Sequence, residues 1–238
     1  MLMLPLSLSL APSAAAQTDG VQVTPVVIHL ESDRGLSSVR LRNRRDREVA
    51  FEVSIFLWEQ RDGEDIRSPT TDIIVAPSVF VVRPNAEQIV RLAIASSARG
   101  PAPEQEIAYR LLMRELPVVG EEPSGFHVQL QMSLPVFIPP RPPRAEIAAR
   151  RVIDSDAGPS VVLENTGSAH IRLASVTYGP SDQSVERLPR YLLAGASITR
   201  PLPRDTQTVD VVYATSGANA PISETLTLDA PTPALRVR

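Results

Sequence analysis

Apolar and polar positions in this chain alternate in short runs, with the period of two that strands show and helices do not. The longest run is Val49 to Trp58, where Val49, Phe51, Val53, Ile55 and Leu57 fall on one face. Arg61-Asp62-Gly63 then reads as a hairpin turn. Earlier, Val21 to Leu30 is apolar and β-branched, and Val39 and Leu41 alternate before a polar turn from Asn43 to Arg47. Later come Ile73 to Val75 and Val79 to Val82, broken by Pro77, then a Pro84-Asn85 turn and Ile89 to Ile94. Ala95 to Glu106 reads as a loop, and Ala108 to Leu116 and Phe126 to Ile138 as two closing strands joined through Gly120 and Gly125. That makes about seven strands, the count of an immunoglobulin-like sandwich.

Pro139-Pro140-Arg141-Pro142-Pro143 marks a boundary, because prolines so dense favour a stiff, extended linker. A second series of weaker strand signals follows: Ser160 to Leu163, Ile171 to Tyr178, Arg190 to Leu193, Ser197 to Thr199, Asp210 to Tyr213 and Thr225 to Leu228, with an Asn165-Thr166-Gly167 turn. The expected organisation is an N-terminal sandwich over residues 17–138, a linker over 139–144 and a C-terminal sandwich over 145–238. The two halves read as distant versions of one architecture. Twenty-three prolines argue against long helices.

Composition narrows the function. At 238 residues the chain is long enough for two domains of about 100 residues. A net charge of -3 without a block of like charge gives no case for nucleic acid or an anionic membrane surface. All 24 basic residues are arginine, so any anion must be met by guanidinium groups. Without cysteine there is no disulfide, thiolate metal site or cysteine nucleophile. Residues 1–16 read as a secretory signal: an apolar stretch to Ala11, then small Ala14, Ala15 and Ala16 before polar Gln17. The positive start of such a signal is missing. No later run is long and apolar enough to span a bilayer, so membrane insertion is not expected.

Candidate chemistry is sparse. His29, His127 and His170 lie outside metal-ligand spacing, so no metal site is expected, and neither a nucleophile elbow nor a glycine-rich phosphate loop is present. Glu121-Glu122 reads as a solvated turn. Neither an enzyme nor a cofactor is expected, and a binding role remains. Two stretches suggest one. In the strand ending the first domain, Phe126, Val128, Leu130, Met132 and Leu134 share a face between polar neighbours, with no charge to guard the edge. A long apolar edge strand invites pairing with another chain, although any half-buried strand shows the same period. In Tyr109-Arg110-Leu111-Leu112-Met113-Arg114, the apolar face turns Arg110 and Arg114 to the opposite side, where an ordinary solvated face is the plainer account.

These stretches resemble the periplasmic chaperones of chaperone–usher pili. The likeness lies in Tyr109-Arg110-Leu111 through Glu115-Leu116-Pro117, followed by Met132-Ser133-Leu134-Pro135-Val136-Phe137. Phe56-Leu57-Trp58-Glu59-Gln60 is similar to the third strand of the archaic branch. The resemblance implies an all-β protein of two immunoglobulin-like sandwiches set in an L. Its final first-domain strand, carrying Phe126, Val128, Leu130, Met132 and Leu134, would be lent to a pilus subunit in a one-to-one periplasmic complex. The subunit would then pass to an outer-membrane usher. Better-known members grip the subunit's terminal carboxylate with two basic residues that are missing here, from Thr24 to Ile28 and near Pro135. The archaic likeness puts Arg110 in that role; were Arg110 dispensable, Arg114 or Arg91 would be the next candidates. A structural or adhesive two-domain protein of the cell surface is the alternative.

Overall fold

The structure, a computed structural model, describes residues 20–117, 129–154, 158–180, 182–216, 218, 220–228 and 232–233. The first part of the chain supplies β1 (Val21–Thr24), β2 (Ile28–His29), β3 (Leu36–Asn43), β4 (Val49–Arg61), β5 (Glu64–Pro69), β6 (Ile73–Ala76), β7 (Val79–Val82), β8 (Glu87–Ile94), β9 (Ile107–Leu116) and β10 (Gln131–Ile138). Across the proline-rich segment lie β11 (Ile147–Asp154), β12 (Gly158–Asn165), β13 (Ile171–Gly179), β14 (Asp182–Leu192), β15 (Ser197–Pro201), β16 (Thr208–Thr215), β17 (Ile222–Thr227) and β18 (Thr232–Pro233). The one short helix is a 3-10 turn at Ser96–Ala98, so among the described residues no helix is long and apolar enough to cross a membrane.

Two sheets make the first sandwich. One runs β1-β3-β8-β6; the other runs β2-β10-β9-β4-β5, with β7 also paired to β4. Val39, Leu41, Phe51, Val53, Val90, Leu92, Leu111 and Met113 meet between them. The second sandwich packs β15-β12-β11-β18 against β14-β13-β16-β17 around Val161, Leu163, Ile171, Leu173, Val209 and Val211. Both are immunoglobulin-like, as the alternation of the sequence predicts.

The departures from the sequence reading have physical causes. Val21 to Leu30 is not one strand: Pro25 interrupts it, and β1 joins one sheet while β2 joins the other. Pro77 splits β6 from β7 in the same way. A proline donates no ladder hydrogen bond, so the chain changes sheets there at little cost. The expected turn at Asp62-Gly63 has φ values of 52° and 79°, both in the left-handed region that a tight hairpin needs. β14 is far longer than Arg190 to Leu193, because it is an edge strand whose polar residues and Pro189 hide it from an alternation search.

The proline-rich segment carries no strand, and both of its ends are fastened. At the near end Arg141 pairs with Glu31 and, at 3.2 Å, with Asp33. At the far end Ser168 and Ala169 donate backbone hydrogen bonds to the Arg144 carbonyl, while Thr166 and Gly167 donate to that of Glu146. The fit is tight enough that a Cβ at Gly167 would lie 2.4 Å from the Arg144 oxygen.

Candidate functional site

Strand β10 has two different edges. On one side it pairs antiparallel with β9 along its whole length, Gln131 with Arg114 through Ile138 with Ile107. On the other it meets β2 only at Val136 and Phe137, in parallel. Among the described residues nothing pairs with that side from Gln131 to Pro135, and Pro135 brings no donor. The open edge therefore ends where β2 begins.

Leu130 and Met132 are half-buried and pack at the margin of the first domain's core. Leu134, by contrast, is only 7% exposed and belongs to that core outright. Phe126 and Val128 lie outside the described residues. The start of the strand is held by Glu115, whose carboxylate accepts from the Leu130 backbone N–H at 3.2 Å and from Arg45 at 2.5 Å and Arg47 at 3.4 Å.

Arg110 stands directly across the ladder from Pro135 on one side and from Phe56 on the other. Tyr109 and Leu111 point into the core, so Arg110 emerges on the outer face as the alternation predicts. Its guanidinium carbon lies 3.6 Å from the centroid of the Trp58 ring and 5.6 Å from that of Tyr191, a residue of the second sandwich. No carboxylate or carbonyl among the described residues accepts a hydrogen bond from it. Burial draws its pKa below the ordinary value, with Asp65 and Tyr191 opposing the fall and Arg67 adding to it. It remains a cation at neutral pH, partly stripped of water, with its donors unspent. The two substitutes do not share this setting. Arg114 is paired with Glu52 at 2.5 Å, and Arg91 sits on β8 in the opposite sheet.

Sequence reasoning missed the floor of this site. Trp58 falls on the polar face of β4, yet it is only 2% exposed and packs with Ala108 and Phe137 into the second sandwich's core cluster. Tyr191 meets its ring edge-on, centroids 5.7 Å apart. His170 stacks on Phe137 at 3.8 Å and presents Nδ1 to Glu106 Oε1 at 2.7 Å. Burial holds the pKa of nearby His29 below its usual value, with His170 adding to the effect and Glu106 and Glu31 opposing it. Gln60 crosses between domains, donating to the Tyr191 carbonyl at 3.0 Å and accepting from Leu193 N–H at 2.9 Å. Phe56 and Trp58 on the face of β4 that also carries Glu52, Ser54 and Gln60 are the available signal. Among the described residues no group of histidines and carboxylates is arranged to hold a metal ion.

The fold is shared with solved proteins of low sequence identity. The chaperone in the CsuC–CsuE pre-assembly complex of archaic Csu pili from Acinetobacter baumannii superposes with a TM-score of 0.69, at 18% identity over 89% of this chain and 100% of that one. A chain of the SafA pilin–SafB chaperone complex of Salmonella enterica gives 0.64 at 16% identity, over 89% of this chain and 99% of that one. The Escherichia coli chaperone DraB also gives 0.64, at 13% identity over 87% and 97%. None of the curated proteins matches by sequence. Residues 20–143 match the family described as pili and flagellar-assembly chaperone, PapD N-terminal domain. With its open strand edge, its two sandwiches and that match over more than half its length, the chain belongs to the PapD-like family of pilus-assembly chaperones.

Proposed function

We propose that this protein binds one pilus subunit in the periplasm, pairs it along the open edge of β10 and hands it to an outer-membrane usher. Gln131 to Pro135 offer unpaired backbone groups for a strand from the subunit, and Leu130 and Met132 offer partly uncovered apolar surface to its open groove. Arg110 receives the carboxylate that ends the subunit. The observation that carries this reading is the state of Arg110: a half-buried guanidinium laid on Trp58, without an acceptor, level with the point where the edge closes. A guanidinium fork resting over an aromatic ring, with no carboxylate or carbonyl acceptor of its own, has N–H donors to spare for bidentate contact with a carboxylate.

The test is co-expression with subunits encoded nearby, followed by pull-down. Arg110→Ala is expected to leave the free protein folded and to weaken subunit binding by about 10- to 100-fold, the value of a charge-assisted hydrogen bond. Arg110→Lys recovers only part of that, since lysine lacks the fork. Full subunit recovery by the alanine variant would place the carboxylate elsewhere.

A further inference from the structure

Residues paired across a sheet share a face, and their side chains stand next to each other. Trp58 has Arg67 of β5 as its partner, so Arg67 shares the face on which Arg110 lies over the indole ring. Tyr191 of the second sandwich has Arg172 of β13 as its partner. The Trp58 and Tyr191 rings meet edge-on across the interdomain cleft, and both lie within 5.6 Å of the Arg110 guanidinium carbon. Arg67 and Arg172 therefore flank this aromatic pair from the two sandwiches.

Both flanking arginines are exposed, and among the described residues neither has a hydrogen bond or an ion pair. Elsewhere the arginines of this chain find carboxylates: Arg40 and Arg42 meet Glu87, and Arg114 meets Glu52. Arg67 stands close enough for its like charge to work against protonation of Arg110, while the charge of Asp65 favours it. Asp65 is exposed and accepts from the Gln60 amide at 2.8 Å. Glu106, deeper in the interface, is buried and turned to His170. Around the aromatic pair, Arg67, Arg110 and Arg172 thus face one exposed carboxylate, Asp65, in a chain whose net charge is -3. A carboxylate received by Arg110 still leaves one positive charge unmatched.

We propose that this cleft selects a subunit whose chain end carries an acidic side chain beside its terminal carboxylate, with Arg67 and Arg172 supplying the countercharge. The inference rests on the assignment of Arg110 to that terminus. An exposed guanidinium adds little to affinity in absolute terms, yet it separates one chain end from another. Its contribution also fades as salt screens the pair.

The full chain is titrated by calorimetry with N-acetyl-Gly-Ser-Val-Ser-Val-Ser peptides that end in asparagine, in asparagine amide or in aspartate. The free asparagine peptide is expected to bind more tightly than its amide, which reads the Arg110 site. The aspartate peptide is expected to bind about two- to fivefold tighter again at low ionic strength, and to lose that gain in high salt. Arg67→Gln combined with Arg172→Gln is expected to erase the gain. Both side chains are exposed, so the melting curve of this variant stays that of a folded protein. Arg67→Glu combined with Arg172→Glu is expected to reverse the preference, with aspartate then binding more weakly than asparagine. Equal affinity for aspartate and asparagine, a gain that salt leaves unchanged, or one that survives the double glutamine variant overturns this proposal and leaves the Arg110 reading standing. A free acid that gains nothing over its amide overturns the Arg110 reading, and this inference falls with it.

Discussion

Asn43 and Asn165 occupy matching corners of the two sandwiches, and both are fully buried. Each donates to the carbonyl four residues ahead, Arg47 or Ala169, and to a distant strand, at Val82 or Leu192. Each accepts from the backbone N–H two residues ahead, at Arg45 or Gly167. Replacing either by alanine strands buried carbonyls at about 1–3 kcal/mol per group, so chemical denaturation of Asn43→Ala or Asn165→Ala should report a loss in that range or above. Retained stability would mean that the corners do not depend on these side chains. Both turns are legible as turns, the first from its polar run Asn43 to Arg47 and the second from Asn165 and Gly167, but not the partners that make them rigid, which lie up to 39 residues away. The burial of Trp58 escapes the pattern for a related reason. The period of two assigns residues to faces, and only tertiary structure says that β4 outruns its own sandwich and buries its opposite face under the second one.

Among elements, β10 separates what pattern can and cannot tell. Its apolar alternation identified a strand, and the pairing of one side only over Gln131–Pro135 agrees with an edge. Pattern could not divide its residues between self and partner, since the core face and an offered face share the same period. The structure suggests the division, and mutation can test it. Leu134→Ala should destabilise the free protein by about 2–5 kcal/mol, as removal of a core leucine does. Met132→Ser with Leu130→Ser should lower its melting temperature far less and weaken subunit binding by about 1.5–3 kcal/mol for each side chain buried in the complex. Equal destabilisation of the free protein by both changes would make β10 an ordinary core strand. Glu115 gives a companion case: it continues the core-facing series of Tyr109, Leu111 and Met113, and it is buried beneath Arg45 and Arg47, where it holds the first residues of this strand.

For the whole molecule, the linker's prolines are only part of what sets the domains in place. Arg141 fastens the segment to the first sandwich, the backbone of Arg144 and Glu146 to the second, and Gln60, Glu106 and His170 join the two directly. Alkali should loosen both sandwiches. Burial, together with Asp72, raises the Tyr109 hydroxyl well above its usual pKa, and burial together with Glu224 raises that of Tyr213 to about 12. A phenol that ionises later in the folded state contributes stability that is intact below the unfolded value of about 10 and declines as pH climbs through the folded one. Absorbance titration should show the ionisation of Tyr109 and Tyr213 held back beyond pH 10, with stability falling over the same span. Tyr213→Phe should remove part of that fall, and an unchanged profile would count against it.

If a subunit's chain end is pinned at Arg110, the point where β2 closes the β10 edge, level with that residue, would act as a ruler. A chain end pinned at Arg110 fixes the phase of everything before it, because successive side chains of an added strand face opposite ways. Odd and even positions counted back from the terminus are then sorted to opposite faces. One residue appended to a subunit would send its whole apolar set to the wrong side, whereas two would restore the parity at the cost of a displaced end. Selection among subunits would then rest on how far their apolar residues stand from the last one, a count of positions more than a match of particular side chains.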